Sequence, residues 1–187
     1  MSLLGRSEEA LTQFRRALEL NPRYLEALIH QGLIQSELGR SREAEESFRR
    51  ATDSVAPPSA GLPAPVAARL ANQHAELADA YAEAGALARA IEQYEQALGL
   101  GPGFQDLRYR MARVMLEAGR ALDAREALEQ VLAARPNFVD AEAALGLAHF
   151  LSGDGVGARD IWRACLAHRP ENARVEAYLA MLGRTGA

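Results

Sequence analysis

Five glycines recur along this chain with a nearly fixed period. Gly5, Gly39, Gly85, Gly119 and Gly153 are separated by 34, 46, 34 and 34 residues. Five residues after each comes an alanine (Ala10, Ala44, Ala90, Ala124, Ala158), and four further on a bulky apolar side chain (Phe14, Phe48, Tyr94, Leu128, Trp162). Three more residues bring a small or β-branched one: Ala17, Ala51, Ala97, Val131 and Cys165. A period of this length marks an architecture in which one supersecondary unit stacks on the next. It constrains the fold to repetition and points away from catalysis before any site is sought.

The stretch from Gln105 to Phe138 shows what one unit is. Leu107, Met111, Val114 and Met115 recur at helical spacing up to Gly119. A second run follows from Leu122, with Ala124, Ala127, Leu128, Val131 and Leu132 on one face, and ends before Pro136. Two antiparallel helices joined by a short Gly-Arg turn form an αα-hairpin.

Composition narrows the function classes. Of 187 residues, 49% are apolar, enough for a continuous core, and the net charge is -4 with acids and bases interleaved. That balance argues against a nucleic-acid surface, which carries a basic excess on one face. All 21 basic residues are arginine. Bidentate recognition of carboxylates or phosphates is one reading of that bias; genomic base composition is the other, favoured by the absence of clustering. Cys165 is the sole cysteine, so no intramolecular disulfide forms and a reducing, cytoplasmic compartment is the easier fit. No apolar run is long enough to cross a bilayer, and Met1 to Arg6 lack the h-region of a signal peptide.

The repeat resembles the tetratricopeptide repeat, a 34-residue helix–turn–helix. Family position 8, where a small residue lets the helices touch, holds Gly32, Ala78, Ala112, Gly146 and Ala180; position 20 holds the five alanines above. Position 24, which fills the gap to the neighbouring hairpin, holds the bulky series, and the proline of position 32 recurs as Pro22, Pro102, Pro136 and Pro170. First helices depart at position 4, with Leu28, His74, Arg108, Glu142 and Glu176. The resemblance implies an all-α fold, an α-solenoid wound as a right-handed superhelix of stacked antiparallel helix pairs with a terminal capping helix.

Divided on this register, the chain is a single solenoid. Residues 5–22 form a half repeat (second helix only), 23–53 a repeat, 54–65 a proline-rich insertion, and 66–104 a repeat with an extended first helix. Repeats follow at 105–138 and 139–172, then a capping helix and tail at 173–187. Four prolines forbid a continuous helix through the insertion.

Catalytic constellations are missing. His30, His74, His149 and His168 are scattered, without the i, i+4 pairing of metal ligands. His149, at position 11, reads as a packed structural histidine. Cys165 replaces a small core residue, with no histidine placed to activate it. Gly153-Asp154-Gly155-Val156-Gly157 lacks the strand and the Lys-Ser/Thr of a phosphate loop, although Gly155 and Gly157 weaken the helix they begin. Neither cofactor nor metal nor enzymatic activity is expected.

The resemblance places a binding groove on first-helix positions 2, 5, 6, 9, 12 and 13. These are Glu26, Ile29, His30, Leu33, Ser36 and Glu37 in the first complete repeat, then Asn72, Ala75, Glu76, Asp79, Ala82 and Glu83. The next repeats give Asp106, Tyr109, Arg110, Arg113, Leu116 and Glu117, then Asp140, Ala143, Ala144, Leu147, Phe150 and Leu151; the last helix adds Arg174, Tyr178 and Met181. Some family members clamp a terminal carboxylate with lysines and asparagines. Here the asparagine position is His30, Glu76 or Arg110 and lysine is absent, so such a clamp is not expected.

A binding module for a protein or peptide partner, without nucleic-acid binding or membrane insertion, is the leading expectation. As alternatives, the chain is the repeat portion of a longer protein, an enzyme or a sorting factor, as an unpaired second helix at its start suggests. Or it self-associates as a homo-oligomer through Leu11, Phe14 and Leu18 on that helix.

Overall fold

A computed structural model describes residues 3–55 and 62–185. Its described residues form ten α-helices and no strand, the all-α repeat class expected from the period. The middle of the proline-rich insertion, residues 56–61, lies outside the described residues. The chain divides into two compact units, Met1–Pro102 and Gly103–Ala187. Unit 1 contains α1 (Leu3–Leu20), α2 (Leu25–Glu37), α3 (Ser41–Ser54), α4 (Ala64–Glu83) and α5 (Leu87–Leu100). Unit 2 contains α6 (Gln105–Glu117), α7 (Ala121–Ala134), α8 (Val139–Leu151), α9 (Gly155–His168) and α10 (Ala173–Thr185).

Four hairpins, α2/α3, α4/α5, α6/α7 and α8/α9, share one turn chemistry. Gly39, Gly85, Gly119 and Gly153 take φ of 71°, 76°, 75° and 90°, the left-handed region that glycine enters without a Cβ penalty. After each, the next residue donates its N–H back across the turn: Arg40 to Gln35, Ala86 to Tyr81, Arg120 to Met115 and Asp154 to His149, at 2.8–2.9 Å. That six-to-one bond is a Schellman motif, and it satisfies carbonyls the helix end would leave bare. Gly5 departs from the series, since it lies inside α1.

Proline sets the other boundary. α1, α5, α7 and α9 end at Leu20, Leu100, Ala134 and His168, two residues before Pro22, Pro102, Pro136 and Pro170. Gly101, Arg135 and Arg169, each preceding a proline, take extended φ of -157°, -137° and -140°, as clash with the proline ring demands. α4 runs 20 residues where α2, α6, α8 and α10 run 13. Pro65 sits in its first turn, where a missing N–H costs nothing.

In the α2/α3 and α8/α9 hairpins the bulky residue of the second helix lies on the glycine of the first. Phe48 covers Gly32, and Trp162 covers Gly146 and donates Nε1–H to the Ala143 carbonyl at 3.0 Å. These rings also reach forward within their unit: Phe48 meets Tyr81 with centroids 5.0 Å apart, and Trp162 stacks on Tyr178 of α10 at 5.0 Å. One side chain thus closes its own hairpin and glues the next helix on, contributing about 1.5–3 kcal/mol by burial. Around Trp162, Ala143, Ala158, Cys165, Val175 and Leu182 form a buried cluster in unit 2.

Candidate functional site

First helices, packed side by side in each unit, leave grooves between their exposed faces. In unit 1 a concavity of about 320 Å³ is lined by Glu26, Ile29, His30 and Leu33 of α2 and by Glu76, Asp79, Ala80 and Glu83 of α4. Ile29 is buried and Leu33 half-buried, so the floor is apolar and the walls are carboxylates. Phe14 of α1 stacks on the His30 ring (5.8 Å, 16°) and fixes that wall. Asp79 accepts a hydrogen bond from the Tyr94 hydroxyl of α5. A hydrogen bond to Glu26 holds the Tyr24 phenol above its usual pKa. Asn72 opens instead onto a neighbouring depression, of about 450 Å³, shared with Arg23, Tyr24, Glu26, Arg69 and Glu76.

Unit 2 carries a groove of different character, about 450 Å³, between α6 (Tyr109, Arg113, Leu116, Glu117), α8 (Asp140, Ala144, Leu147) and α10 (Arg174, Tyr178). Tyr109 packs on Phe138 at 4.8 Å. Burial, assisted by the Asp140 charge, raises its phenol pKa against the opposing pull of Arg113 and Arg174. Arg174 lies 3.6 Å from Asp140, both well exposed, a pair worth little in water. Its guanidinium also hydrogen-bonds the Tyr109 phenol, so it reaches both the α6 and α8 walls of the groove.

Apart from Asn72, the sequence-derived groove residues separate into three groups. Ile29, Leu33, Asp79 and Glu83 come together in unit 1, and Tyr109, Arg113, Leu116, Leu147 and Tyr178 in unit 2. Arg110, Phe150 and Leu151 line neither groove. Phe150 is half-buried against Trp162, with centroids 6.3 Å apart, and α10 covers part of the apolar face that Leu147 and Phe150 would otherwise present. Leu11 and Leu18 are buried (0% and 6% exposed) and half-buried Phe14 stacks on His30, so these side chains pack within unit 1. Glu9, Thr12, Gln13 and Arg16 of α1 face outward, and so does Leu20 at its end. Ala80 lines the unit 1 groove although its period position assigned it to neither face.

Other candidate groups prove structural. His149 is no packed core residue: its Nδ1 lies 2.8 Å from Asp154 Oδ2, while Asp154 Oδ1 accepts the Gly157 N–H at 2.8 Å as the N-cap of α9. A Cβ on Gly157 would collide with that carboxylate and with the imidazole, which accounts for a glycine in the first turn of a helix. Gly155 has no such neighbour, and nothing in the structure explains it. His74 Nδ1 pairs with Gln93 Oε1 at 2.9 Å in the α4/α5 interior. Burial, with Glu142 beside it, pushes the Cys165 thiol up to about 11, the opposite of nucleophilic activation. Among the described residues no three His, Cys, Asp or Glu side chains converge on a metal position, and no helix is long and apolar enough to cross a membrane.

Tetratricopeptide repeat profiles match residues 4–60, 35–103 and 81–149. No curated protein matches the sequence. Among solved structures, YrrB, described as a TPR protein with an unusual peptide-binding site, superposes with TM-score 0.64 at 16% identity over 94% of this chain and 84% of its own. A tetratricopeptide repeat protein from Parabacteroides merdae gives TM-score 0.69 at 18% identity, covering 95% of this chain and 66% of its own. The first TPR of Spaghetti, bound to an HSP90 peptide, gives 0.59 at 18% identity over 63% of this chain and 94% of its own. At these identities the likeness is one of fold.

Proposed function

The chain belongs to the tetratricopeptide repeat family, and we propose that it is a non-catalytic scaffold holding a segment of a partner protein on its first-helix faces. The unit 2 groove carries this reading. Leu116, Ala144 and Leu147 form an apolar floor, with Tyr109, Tyr178, Arg113 and Arg174 at the rim. Glu117 and Asp140 complete a lining that is more polar than apolar, so the groove joins a small apolar floor to groups that fix orientation. Two of its three helices, α8 and α10, are tied below by Trp162, Val175 and Leu182, which limits the ordering entropy spent on binding.

The chemistry of the remaining side chains favours binding over turnover. The one thiol is buried with a raised pKa, and His74 and His149 are engaged by Gln93 and Asp154 away from it. YrrB and the Spaghetti repeat, each described with a peptide or a peptide-binding site, lend the reading their precedent. Neither supplies the partner, and this chain has no lysine with which to build a clamp.

Peptides selected by display against the full chain provide the test. They should lose affinity about tenfold or more, some 1.4 kcal/mol, on Leu33→Ser in unit 1 or Leu116→Ser in unit 2. They should be indifferent to Leu122→Ser on α7, an exposed leucine off the groove. Sensitivity to Leu122→Ser with indifference to the other two would contradict the reading.

A further inference from the structure

We propose that the unit 1 groove selects a basic segment of the partner, one that carries arginine or lysine around an apolar anchor. The inference rests on the scaffold reading above and adds the chemistry of the occupant. Four of the eight lining residues are carboxylates, Glu26, Glu76, Asp79 and Glu83, and none is arginine. Glu76 and Glu83 make no hydrogen bond or ion pair with any described residue.

That vacancy of cations is local. Elsewhere in unit 1 arginines do meet acids: Arg40 pairs with Glu8, Arg89 with Glu45 at 2.9 Å, and Arg49 with Glu46 at 2.7 Å and Asp53 at 3.3 Å. The lining of the groove itself thus holds carboxylates and no arginine, while Arg23 and Arg69 lie in the adjoining depression beside Glu26 and Glu76. Like charges gathered beside an apolar floor repel, and a concave low-dielectric wall focuses their field on an incoming cation.

Geometry separates a peptide from an ion. The carboxylates are distributed along two helices and do not converge as a metal set. Ile29 and Leu33 lie one helical turn apart on α2, a floor suited to one or two aliphatic side chains. A segment with an apolar residue between cations satisfies floor and walls together; a metal ion satisfies neither.

Three synthetic 12-residue peptides and the full chain decide it: arginine with leucine, glutamate with leucine, and arginine with serine. We expect the arginine–leucine peptide to bind and to weaken severalfold between 50 and 200 mM salt. Glu76→Gln with Glu83→Gln should cost it at least tenfold, whereas Glu45→Gln with Glu46→Gln, the same charge change on an outer helix, should leave it unaltered. The arginine–serine peptide should bind at least tenfold more weakly. Unchanged affinity in the groove variant, equal loss in the outer one, or preference for the glutamate–leucine peptide would overturn the inference. Of these, a glutamate–leucine peptide that still loses affinity on Leu33→Ser leaves the scaffold reading standing. Indifference of every peptide to both Leu33→Ser and Leu116→Ser removes that reading as well.

Discussion

A methyl group on Gly146 would sit 2.5 Å from Trp162 Cδ1, and one on Gly32 would sit 2.7 Å from Phe48 Cε1. Both distances are far inside contact, and the neighbours are rings held on two sides. Gly146→Ala should therefore lower the unfolding free energy by about 1–3 kcal/mol in urea denaturation, the usual cost of overpacking. Gly99→Ala, inside α5 with nothing within 4 Å, should instead gain about 0.4–1 kcal/mol by stiffening the unfolded chain. A neutral Gly146→Ala would refute the ring-on-glycine contact. The α9 cap makes a second residue-scale prediction. The Gly157 N–H, then His149, hold the Asp154 carboxyl below its ordinary pKa. With the folded value below the unfolded one, near 3.9, the cap's stabilisation is complete above that range and fades as pH falls through the folded value. Asp154→Asn should thus flatten the acid limb of the stability profile, read by thermal melts across pH 2 to 6; an unaltered limb would contradict the assignment. Position 8 was legible as small from the sequence, because the period repeats it. The His149–Asp154 cap was not, because the period predicts a core contact at position 11, where Tyr81 is buried and hydrogen-bonded to Thr52 at 2.9 Å.

Helix boundaries were the most legible elements, since glycine and proline act locally: φ above zero at four glycines and an extended residue before proline end the helices wherever they fall. Gly5 shows the limit of that reasoning. Leu-Gly-Arg-Ser occurs at both 4–7 and 38–41, yet Gly5 sits within α1 while Gly39 turns, so the local sequence alone does not set the turn. The apolar face of α1 was readable as a face, but not as a covered one; Leu11 and Leu18 are spent on packing against the rest of unit 1. Leu11→Ala should accordingly destabilise unit 1 by about 2–5 kcal/mol without changing the mass measured by light scattering. A shift in oligomeric state at constant stability would return that face to the surface. At the other end, α10 is anchored by Val175 (0% exposed) and Leu182. Val175→Ala should loosen it and red-shift the fluorescence of Trp162, the one tryptophan, before global unfolding. Coincidence of the fluorescence shift with loss of all helicity would argue against independent loosening.

At the scale of the whole molecule, the sequence supplied the repeat, and with it the first-helix faces on which both grooves lie. It supplied their contrast too, acidic residues in one repeat and tyrosine with arginine in the next, because charge type is carried by the residues themselves. What it left hidden is which groove positions remain open once the helices pack. Phe150 and Leu151 hold groove positions by register and yet line neither groove: Phe150 turns toward Trp162 and Leu151 is exposed. That outcome depends on the size of a ring one helix away, and no period encodes it. The central claim is that partners lie against first helices. Photo-crosslinking of a display-selected peptide, read by mass spectrometry, tests it most directly. The account predicts adducts on α2, α4, α6, α8 or α10, at residues such as Leu33, Glu83, Tyr109 and Leu116; adducts confined to α3, α5, α7 or α9 would contradict it.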